Sequence, residues 1–317
     1  MGDLNESSCS KHTTVLLQEA ADALVTDTEG FYVDGTFGRG GHSSAILQRL
    51  KGVGGLLSVD RDPEAVSVGN ERFGSDKRIE IVHSEFSNAS SLVEERGRLG
   101  AVTGMLFDLG VSSPQIDNPD RGFSFLKDGA LDMRMSSGEG MSAADWVNSA
   151  DLEEIVRVLK DYGEERFARR IATAIIEQRA EAPIATTAEL VDLIDKAMPV
   201  KDPHKHPATR TFQAIRIHIN KELDELKQVL ADALQMLAPE GRLVVISFHS
   251  LEDRIVKRFM RDHSRPAVLP RDLPIGEDQI EKPMLRLIGK AVKPDSDQIS
   301  KNPRARSAVM RVAERVA

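Results

Sequence analysis

Apolar and polar residues alternate along the first third of the chain in blocks that predict strands followed by helices. Short apolar runs at residues 31–33, 56–59, 79–82 and 102–109 have the length of buried strands, and helix-like spacing separates them. The Asp62-Pro63-Glu64 segment favours a helix start, since proline fits the first turn. This alternation predicts an α/β fold with a parallel, doubly wound sheet.

The pattern changes after the fourth predicted strand. A stretch rich in Pro, Gly and Asp, from 113 to 132, predicts a loop. Helical spacing follows from 142 to about 198 and, after a loop at 199–207, again to about 237. Apolar runs return near the end, and they predict a fifth strand at 243–248, a helix at 251–263 and a closing antiparallel pair at 284–292 and 305–312. We therefore predict one α/β domain from residues 1–114 and 216–317, interrupted by an all-helical domain at 115–215.

The loop after the first predicted strand is rich in glycine. Residues 34–42 read DGTFGRGGH, which places Gly35, Gly38, Gly40 and Gly41 between a strand and a helix. Glycines at such a turn let backbone N–H groups approach a ligand closely. Asp60 ends the next strand, where an acid typically binds ribose hydroxyls. The two features together predict a nucleotide-like cofactor.

The spacing of these glycines bears on which cofactor is bound. A dinucleotide site would have G-x-G-x-x-G, with a pyrophosphate at the helix N-terminus. The chain has G-x-x-G-x-G-G after Asp34, which is closer to the first motif of methyltransferases that use S-adenosylmethionine (SAM). We expect Gly38, Gly40, Gly41 and Asp60 to contact SAM.

The fourth predicted strand ends in a second polar segment, Asp108 to Gln115, read DLGVSSPQ. Ligands of open α/β sheets lie beyond the carboxyl ends of the strands, so this segment should lie near the transferred methyl group. An acid and hydroxyls there suit an exocyclic amine as the methyl acceptor, because they can hold its N–H groups. We expect Asp108, assisted by Ser112 or Ser113, to bind the amine, although Asp108 could instead contact the cofactor.

Three further side chains are candidates for the cofactor site. Phe86 follows the third strand and could stack on adenine or lie in the core. His42 could bind the methionine moiety or cap its helix, and Gln115 could bind the cofactor or the base. His204, His206 and His218 raise a zinc hypothesis, but cysteine ligands are lacking and we predict no metal.

Composition excludes several classes of protein. The 317 residues carry a formal net charge of −8, which argues weakly against general nucleic-acid binding, although basic residues cluster at 254–265 and 301–315. Cys9 is the only cysteine, so an intrachain disulfide is excluded. We see no membrane-spanning run and no signal peptide, and we expect a cytoplasmic protein without a membrane partner.

Several blocks together resemble one family, the bacterial 16S ribosomal RNA cytosine-N4 methyltransferases of the MraW/RsmH type. They cover nearly the whole chain and comprise residues 12–17, 34–42, 59–62, 108–115, 121–125, 131–135, 209–214, 247–253 and 302–307. Two departures are mild: Ala130 replaces an expected proline, and 294–298 differs from the usual segment.

The resemblance implies a Rossmann-like SAM domain interrupted by a helical substrate-recognition domain. It implies N4-methylation of a cytidine in the decoding region of 16S RNA within the small ribosomal subunit. The family's cofactor contacts carry over to Gly40, Gly41, His42, Asp60, Phe86, Asp108 and Gln115. Arginines of the helical insert could hold RNA phosphates, and the exposed faces of the insert could form a homodimer.

Three alternatives remain open at this level. A DNA amino-methyltransferase would carry an Asp/Ser-Pro-Pro-aromatic tetrapeptide, whereas this chain has Ser113-Pro114-Gln115. An NAD(P) oxidoreductase would need G-x-G-x-x-G and a catalytic pair such as Tyr-Lys, and only two tyrosines are present. A non-catalytic ribosome-assembly factor could keep the cofactor fold, and it would bind SAM without transferring the methyl group.

Overall fold

A computed structural model describes residues 14–200, 202–203, 206–266 and 282–316 of the chain. Seven strands form one sheet: β1 Phe31–Asp34, β2 Gly55–Asp60, β3 Ile79–His83, β4 Val102–Asp108, β5 Leu237–Ser247, β6 Leu285–Leu287 and β7 Val309–Arg315. Their order across the sheet is β3-β2-β1-β4-β5-β7-β6. The first five strands pair in parallel, and β7 pairs antiparallel with both β5 and β6. The predicted α/β sheet is confirmed.

Helices connect these strands and also form a separate group between β4 and β5. The described helices are α1 Leu17–Leu24, α2 Gly41–Arg49, α3 Pro63–Phe73, α4 Ala89–Glu95, α5 Ser113–Asp117, α6 Ala143–Ser149, α7 Leu152–Gly163, α8 Ala168–Glu181, α9 Thr187–Ala197, α10 Ala208–Asn220, α11 Glu222–Met236, α12 Ser250–His263 and α13 Ser296–Lys301. Short 3₁₀ helices occupy Phe86–Asn88, Pro119–Arg121 and Pro303–Ser307. No described helix is both long and apolar enough to span a membrane.

Local sequence signals explain where several helices begin. Asp62 caps α3, because its side chain accepts a hydrogen bond from the Glu64 N–H and Pro63 occupies the first turn. Reciprocal capping boxes start α6 at Ser142 and α9 at Thr186.

The structure corrects three predicted boundaries. The segment 113–132 is not only loop, because the Ser112 capping box starts α5 and Pro119 starts a 3₁₀ helix. Strand β5 begins at Leu237 rather than 243, with a register shift between Val102 and Gly104 on its partner β4. The closing strands are shifted and one is shorter: β6 has three residues, and Pro303–Ser307 form a 3₁₀ helix ahead of β7.

Buried side chains form cores on the sheet and a further core in the helical segment. The sheet cores include Val33, Leu57 and Phe107 in one cluster and Leu56, Leu106 and Ile246 in another. The helical core draws on buried residues between Phe123 and Ile215. Helix α10 runs through this core and past residue 216, so a boundary there divides a helix. The two-domain division stays a prediction.

Candidate active site

The carboxyl ends of β1, β2 and β4 meet at one edge of the sheet, where the strand order reverses. A cavity opens there, and eight of the predicted site residues line it: Gly38, Gly41, His42, Asp60, Phe86, Asp108, Ser113 and Gln115. Gly40 does not line the cavity, although it directly precedes Gly41. These residues are separated by up to 77 positions in the sequence, and they meet because parallel strands end at the same edge of the sheet.

Buried Asp34 holds the glycine loop in place. One of its carboxylate oxygens accepts the Thr36 N–H at 3.2 Å, and the other accepts the Ser43 hydroxyl at 2.6 Å. Burial raises the pKa of Asp34 above its ordinary value, and the hydrogen bonds to Ser43 and Thr36 oppose this shift. The carboxyl therefore ties the strand end to the loop and to α2.

At two glycines of the loop, neighbouring side chains leave no room for a Cβ atom. Gly40 precedes α2 with a φ of 71°, and a Cβ there would lie 2.7 Å from Phe73 and 2.8 Å from Phe37. A Cβ on Gly41 would lie 2.1 Å from the Thr14 hydroxyl oxygen. Gly40 therefore shapes the loop, while Gly41 also lines the cavity.

Asp60 accepts backbone hydrogen bonds from the glycine loop and from the residue that caps α3. Its Oδ2 accepts the Gly38 N–H at 2.7 Å, and its Oδ1 accepts the Asp62 N–H at 2.8 Å. Burial raises the pKa of Asp60 to about 6, against the lowering effect of these two hydrogen bonds. Each carboxylate oxygen keeps a second lone pair, so Asp60 can still accept ligand hydroxyls.

His42 and Asp108 form the least satisfied polar group of the site. His42 Nε2 lies 3.4 Å from Asp108 Oδ2, and the histidine side chain is 4% exposed. Among the described residues, neither ring nitrogen of His42 nor Oδ1 of Asp108 has a hydrogen-bond partner. Buried polar atoms without partners are rare in proteins, so these atoms are suited to bind a polar ligand.

Asp62 is a central contact that sequence reasoning missed as a site residue. Its Oδ2 accepts both the Gln115 side-chain amide and Arg121 Nη1, each at 2.8 Å. The oxygen of the same Gln115 amide accepts the Ser112 N–H at 2.9 Å. Gln115 lines the cavity, but both ends of its amide are engaged within the protein. The position of Asp62, two residues beyond a strand-end acid, was the available signal.

Arg304 reaches the cavity from the other end of the chain. Its Nη1 donates to the Ser113 hydroxyl oxygen at 2.7 Å, and its Nη2 donates to Asp117 at 2.7 Å. The sequence indicated Arg304 only as part of a basic segment. Phe86 lines the cavity with its ring tilted 58° against Phe107, at a centroid distance of 5.7 Å.

Side chains of α10, α11 and the segment after β5 form an ionic cluster. Arg216 donates to both oxygens of Glu222 at 2.9 Å, and His249 Nε2 lies 3.1 Å from Glu252. Ligand atoms of Glu222, His249 and Glu252 lie within 4.8 Å of one another, a spacing that admits a metal ion. Because Arg216 already neutralises Glu222, we interpret the cluster as an ion-pair network.

The three histidines considered for zinc do not form a described cluster. His206 stacks on Phe125 at 4.7 Å, His218 lies against Trp146 at 4.9 Å, and His204 lies outside the described residues. Burial lowers the pKa of His218.

A second cavity adjoins the first and shares Arg61 with it. The turn between α10 and α11 separates the two, with Asn220 and Lys221 facing the second cavity and Glu222 facing the first. Basic and aromatic side chains line the second cavity together with the acids Glu85, Glu139 and Asp224; the basic and aromatic ones are Arg61, His83, Arg134, Arg157, Tyr162, His218 and Lys221. Lys221 has a φ of 51°, which is unusual for a residue other than glycine.

The residues at the first cavity fit a SAM-like ligand in chemical terms. The carboxylates of Asp60 and Asp108 can accept hydrogen bonds from hydroxyl or amine groups, and Phe86 offers an aromatic face. No atom lies within 4 Å of the point where a Cβ on Gly38 would be, so a ligand has room beside this glycine. The unpaired atoms of His42 and Asp108 give this fit an observation independent of any motif.

Comparison with known proteins agrees with this chemistry. The model of the MraW methylase family matches residues 9–316. A curated relative, "Ribosomal RNA small subunit methyltransferase H" of Alteromonas mediterranea, is 53% identical over 307 residues, which are 96% of this chain and 98% of the relative.

Solved structures resemble the chain more distantly. An rRNA methylase from Streptococcus thermophilus has a TM-score of 0.37 at 12% identity, covering 94% of this chain and 92% of its own. A SAM-dependent O-methyltransferase from Thermotoga maritima has a TM-score of 0.39 at 9% identity, covering 97% of this chain and 69% of its own.

Proposed function

Because the chain belongs to the MraW methylase family, we propose that it methylates the N4 amine of a cytidine in the decoding region of 16S ribosomal RNA. The 53% identical relative is named a ribosomal RNA small subunit methyltransferase, which supports rRNA as the substrate class. SAM is the methyl donor, and the small ribosomal subunit is the proposed partner.

The observation that carries the proposal is the free carboxylate oxygen of Asp108. Its Oδ1 is buried, unpaired among the described residues and part of a carboxylate that lines the cavity. The backbone N–H of Asp108 donates to the Thr36 hydroxyl at 2.7 Å, which fixes the end of β4. A rigidly held acceptor of this kind is suited to bind an amine N–H.

This acceptor matters because the cytosine amine is a poor nucleophile. Its lone pair is delocalised into the ring, and a hydrogen bond from the amine to a carboxylate favours the pyramidal nitrogen that attacks. Bound SAM supplies an activated methyl group, so the protein contributes positioning and electrostatics rather than a covalent intermediate. We assign Asp108 as the catalytic acceptor on this basis.

Ser113 is the second proposed catalytic residue. Its oxygen accepts from Arg304, so the hydroxyl proton remains available to the base. For the cofactor, we propose that Gly38 and Gly41 approach the ligand, Asp60 binds the ribose, Phe86 stacks on adenine and His42 lies near the methionine moiety. Gly40 and Gln115 would then act on the cofactor through loop shape, because their environments are internal.

We infer that the RNA strand passes over the second cavity. Arg157 and Lys221 are exposed there, and neither side chain has a hydrogen bond or ion pair within the described part of the protein. Phosphates bind such free cations, and Tyr162 offers a stacking surface. On α10, Arg216 is unsuited to bind phosphate because Glu222 neutralises it.

A transfer assay tests the proposal. Purified protein is incubated with tritiated SAM and small subunits that lack their own N4-methylcytidine, with naked 16S RNA and DNA alongside, and nucleosides are identified by mass spectrometry. We expect N4-methylcytidine in the subunits, a loss of at least a hundredfold in Asp108→Asn and a smaller loss in Ser113→Ala. Label in DNA alone would contradict the rRNA assignment, and SAM binding without transfer would indicate an assembly factor.

Cellular context and assembly extend the proposal. A substrate in the small subunit implies action in the cytoplasm, and no described helix could span a membrane. A homodimer remains part of the proposal, and sedimentation of the purified protein tests it directly.

A further inference from the structure

His42 occupies an unusual position for a histidine. It lies in the first turn of α2, is 4% exposed and lines the first cavity. Neither ring nitrogen has a hydrogen-bond partner among the described residues. A buried imidazole without fixed partners can gain or lose a proton without breaking hydrogen bonds of the fold.

Two carboxylates from neighbouring strands face this ring. Asp108 on β4 lies 3.4 Å away, and Asp34 on β1 also acts on it through its charge. Burial opposes the charged form of His42, but the Asp108 carboxylate, 3.4 Å from the ring, and the charge of Asp34 outweigh burial and raise the pKa of His42. In the free protein, the imidazole therefore holds a proton more readily than an exposed histidine does.

A cationic ligand changes this balance. SAM carries a sulfonium charge that S-adenosylhomocysteine (SAH) lacks, and two like charges in one partly enclosed cavity repel each other strongly. We propose that His42 is a proton-exchange group: it releases its proton when the cationic cofactor binds and takes up a proton when methyl transfer removes that charge.

This inference deepens the proposed function, since it requires an amine acceptor that must lose a proton. The amine lone pair forms the N–C bond while the C–S bond breaks and leaves its electron pair on sulfur. The surplus N–H proton passes to His42, either directly or by way of the Asp108 carboxylate, and the imidazole ends as a cation. The cavity has the same net charge before and after the transfer.

Isothermal titration calorimetry tests the binding half without RNA. SAM and SAH are titrated in buffers of different ionisation enthalpy near pH 7, and the slope of binding enthalpy against ionisation enthalpy gives the protons exchanged. We expect a larger proton release for SAM than for SAH, and we expect the His42→Gln variant to lose that difference. His263→Gln is the control, because its ring lies at the end of α12, bonded to the Phe259 carbonyl oxygen. Equal proton release for the two ligands in the wild type would overturn the proposal.

Nuclear magnetic resonance of the wild type covers the case in which His42→Gln does not fold. With ¹⁵N-labelled histidine, the ring pKa of His42 should fall on addition of sinefungin, which carries an amine cation in place of the sulfonium, and stay high with SAH. An unchanged His42 pKa with sinefungin would refute the idea. Failure of the protein to methylate rRNA would instead reject the proposed function and leave the binding measurements intact.

Discussion

The contact of Asp62 with two donors leads to a quantitative prediction for Asp62→Asn. One oxygen of Asp62 accepts from Gln115 and Arg121 at 2.8 Å, and the other caps α3. The side chains of Asp62 and Arg121 are 5% and 12% exposed. Asparagine keeps the shape, but it either turns an NH₂ group toward the two donors or loses its cap acceptor.

The expected cost follows from the buried charge of Arg121. Removing one partner of a buried ion pair costs about 3–5 kcal/mol, because the remaining charge is left uncompensated. Arg121 also donates to the carbonyl oxygen of Met135 at 2.8 Å, which retains part of its stabilisation. We therefore expect Asp62→Asn to lower the free energy of unfolding by about 3 kcal/mol, near the lower end of that range.

Urea denaturation followed by circular dichroism measures this loss, with the slope of the transition checked in each variant. Glu64→Gln is the matched control, because Glu64 also faces Arg121, at 3.8 Å, but is 53% exposed. Exposed pairs contribute about 0–1 kcal/mol, so the control should stay close to the wild type. If Asp62→Asn is no less stable than Glu64→Gln, the assigned importance of the buried contact is incorrect.

Three further changes test the site. Gly41→Ala places a Cβ 2.1 Å from the Thr14 oxygen, so SAH affinity measured by calorimetry should fall at least tenfold; unchanged affinity would show that Thr14 moves freely. Burial raises the pKa of Asp60 to about 6 from its ordinary value of 3.8, so the native state binds more protons than the unfolded state between these pH values. The stability that this protonation gives is lost as pH rises through about 6. Asp60→Asn should flatten this part of the stability profile, and an unchanged slope would contradict the assignment. Arg304→Ala removes donors to Ser113 and Asp117, so turnover should fall severalfold while stability changes by less than about 1 kcal/mol, given the exposure of the Arg304–Asp117 pair.

The sheet and the first cavity were predictable because their sequence signals are local. The parallel strands β1, β2 and β4 are apolar runs that end in an acid, and parallel pairing places these ends together. The helix α5 was missed because its signal, Ser112 with Gln115 three residues later, lies in a segment rich in turn residues. The composition of this segment predicted a loop, but the reciprocal capping hydrogen bonds between Ser112 and Gln115 start a helix there.

The contacts made by Asp62, Arg121 and Arg304 could not be predicted in the same way. Arg304 lies 191 residues from Ser113, and Arg121 lies 59 residues from Asp62. Such pairs depend on how loops return to the sheet edge, and a charged residue in a loop has many possible partners. The sequence indicated Arg304 only as part of a basic segment and gave Arg121 no role of its own.

The two cavities differ in the charge of the side chains that line them. Carboxylates of Asp60, Asp62, Asp108, Glu222, Glu225 and Glu252 line the first cavity, against the cations Arg39, Arg61 and Arg304. Carboxylates that outnumber the cations around a cavity stabilise a cationic ligand. Burial raises the pKa of Glu225 to about 7 and that of Asp60 to about 6. The second cavity has four Arg and Lys side chains against the acids Glu85, Glu139 and Asp224, and its exposed cations Arg157 and Lys221 suit phosphate. If RNA follows the proposed path over the second cavity, the cationic methyl donor and the RNA strand bind on opposite sides of the α10–α11 turn and do not compete for the same charges.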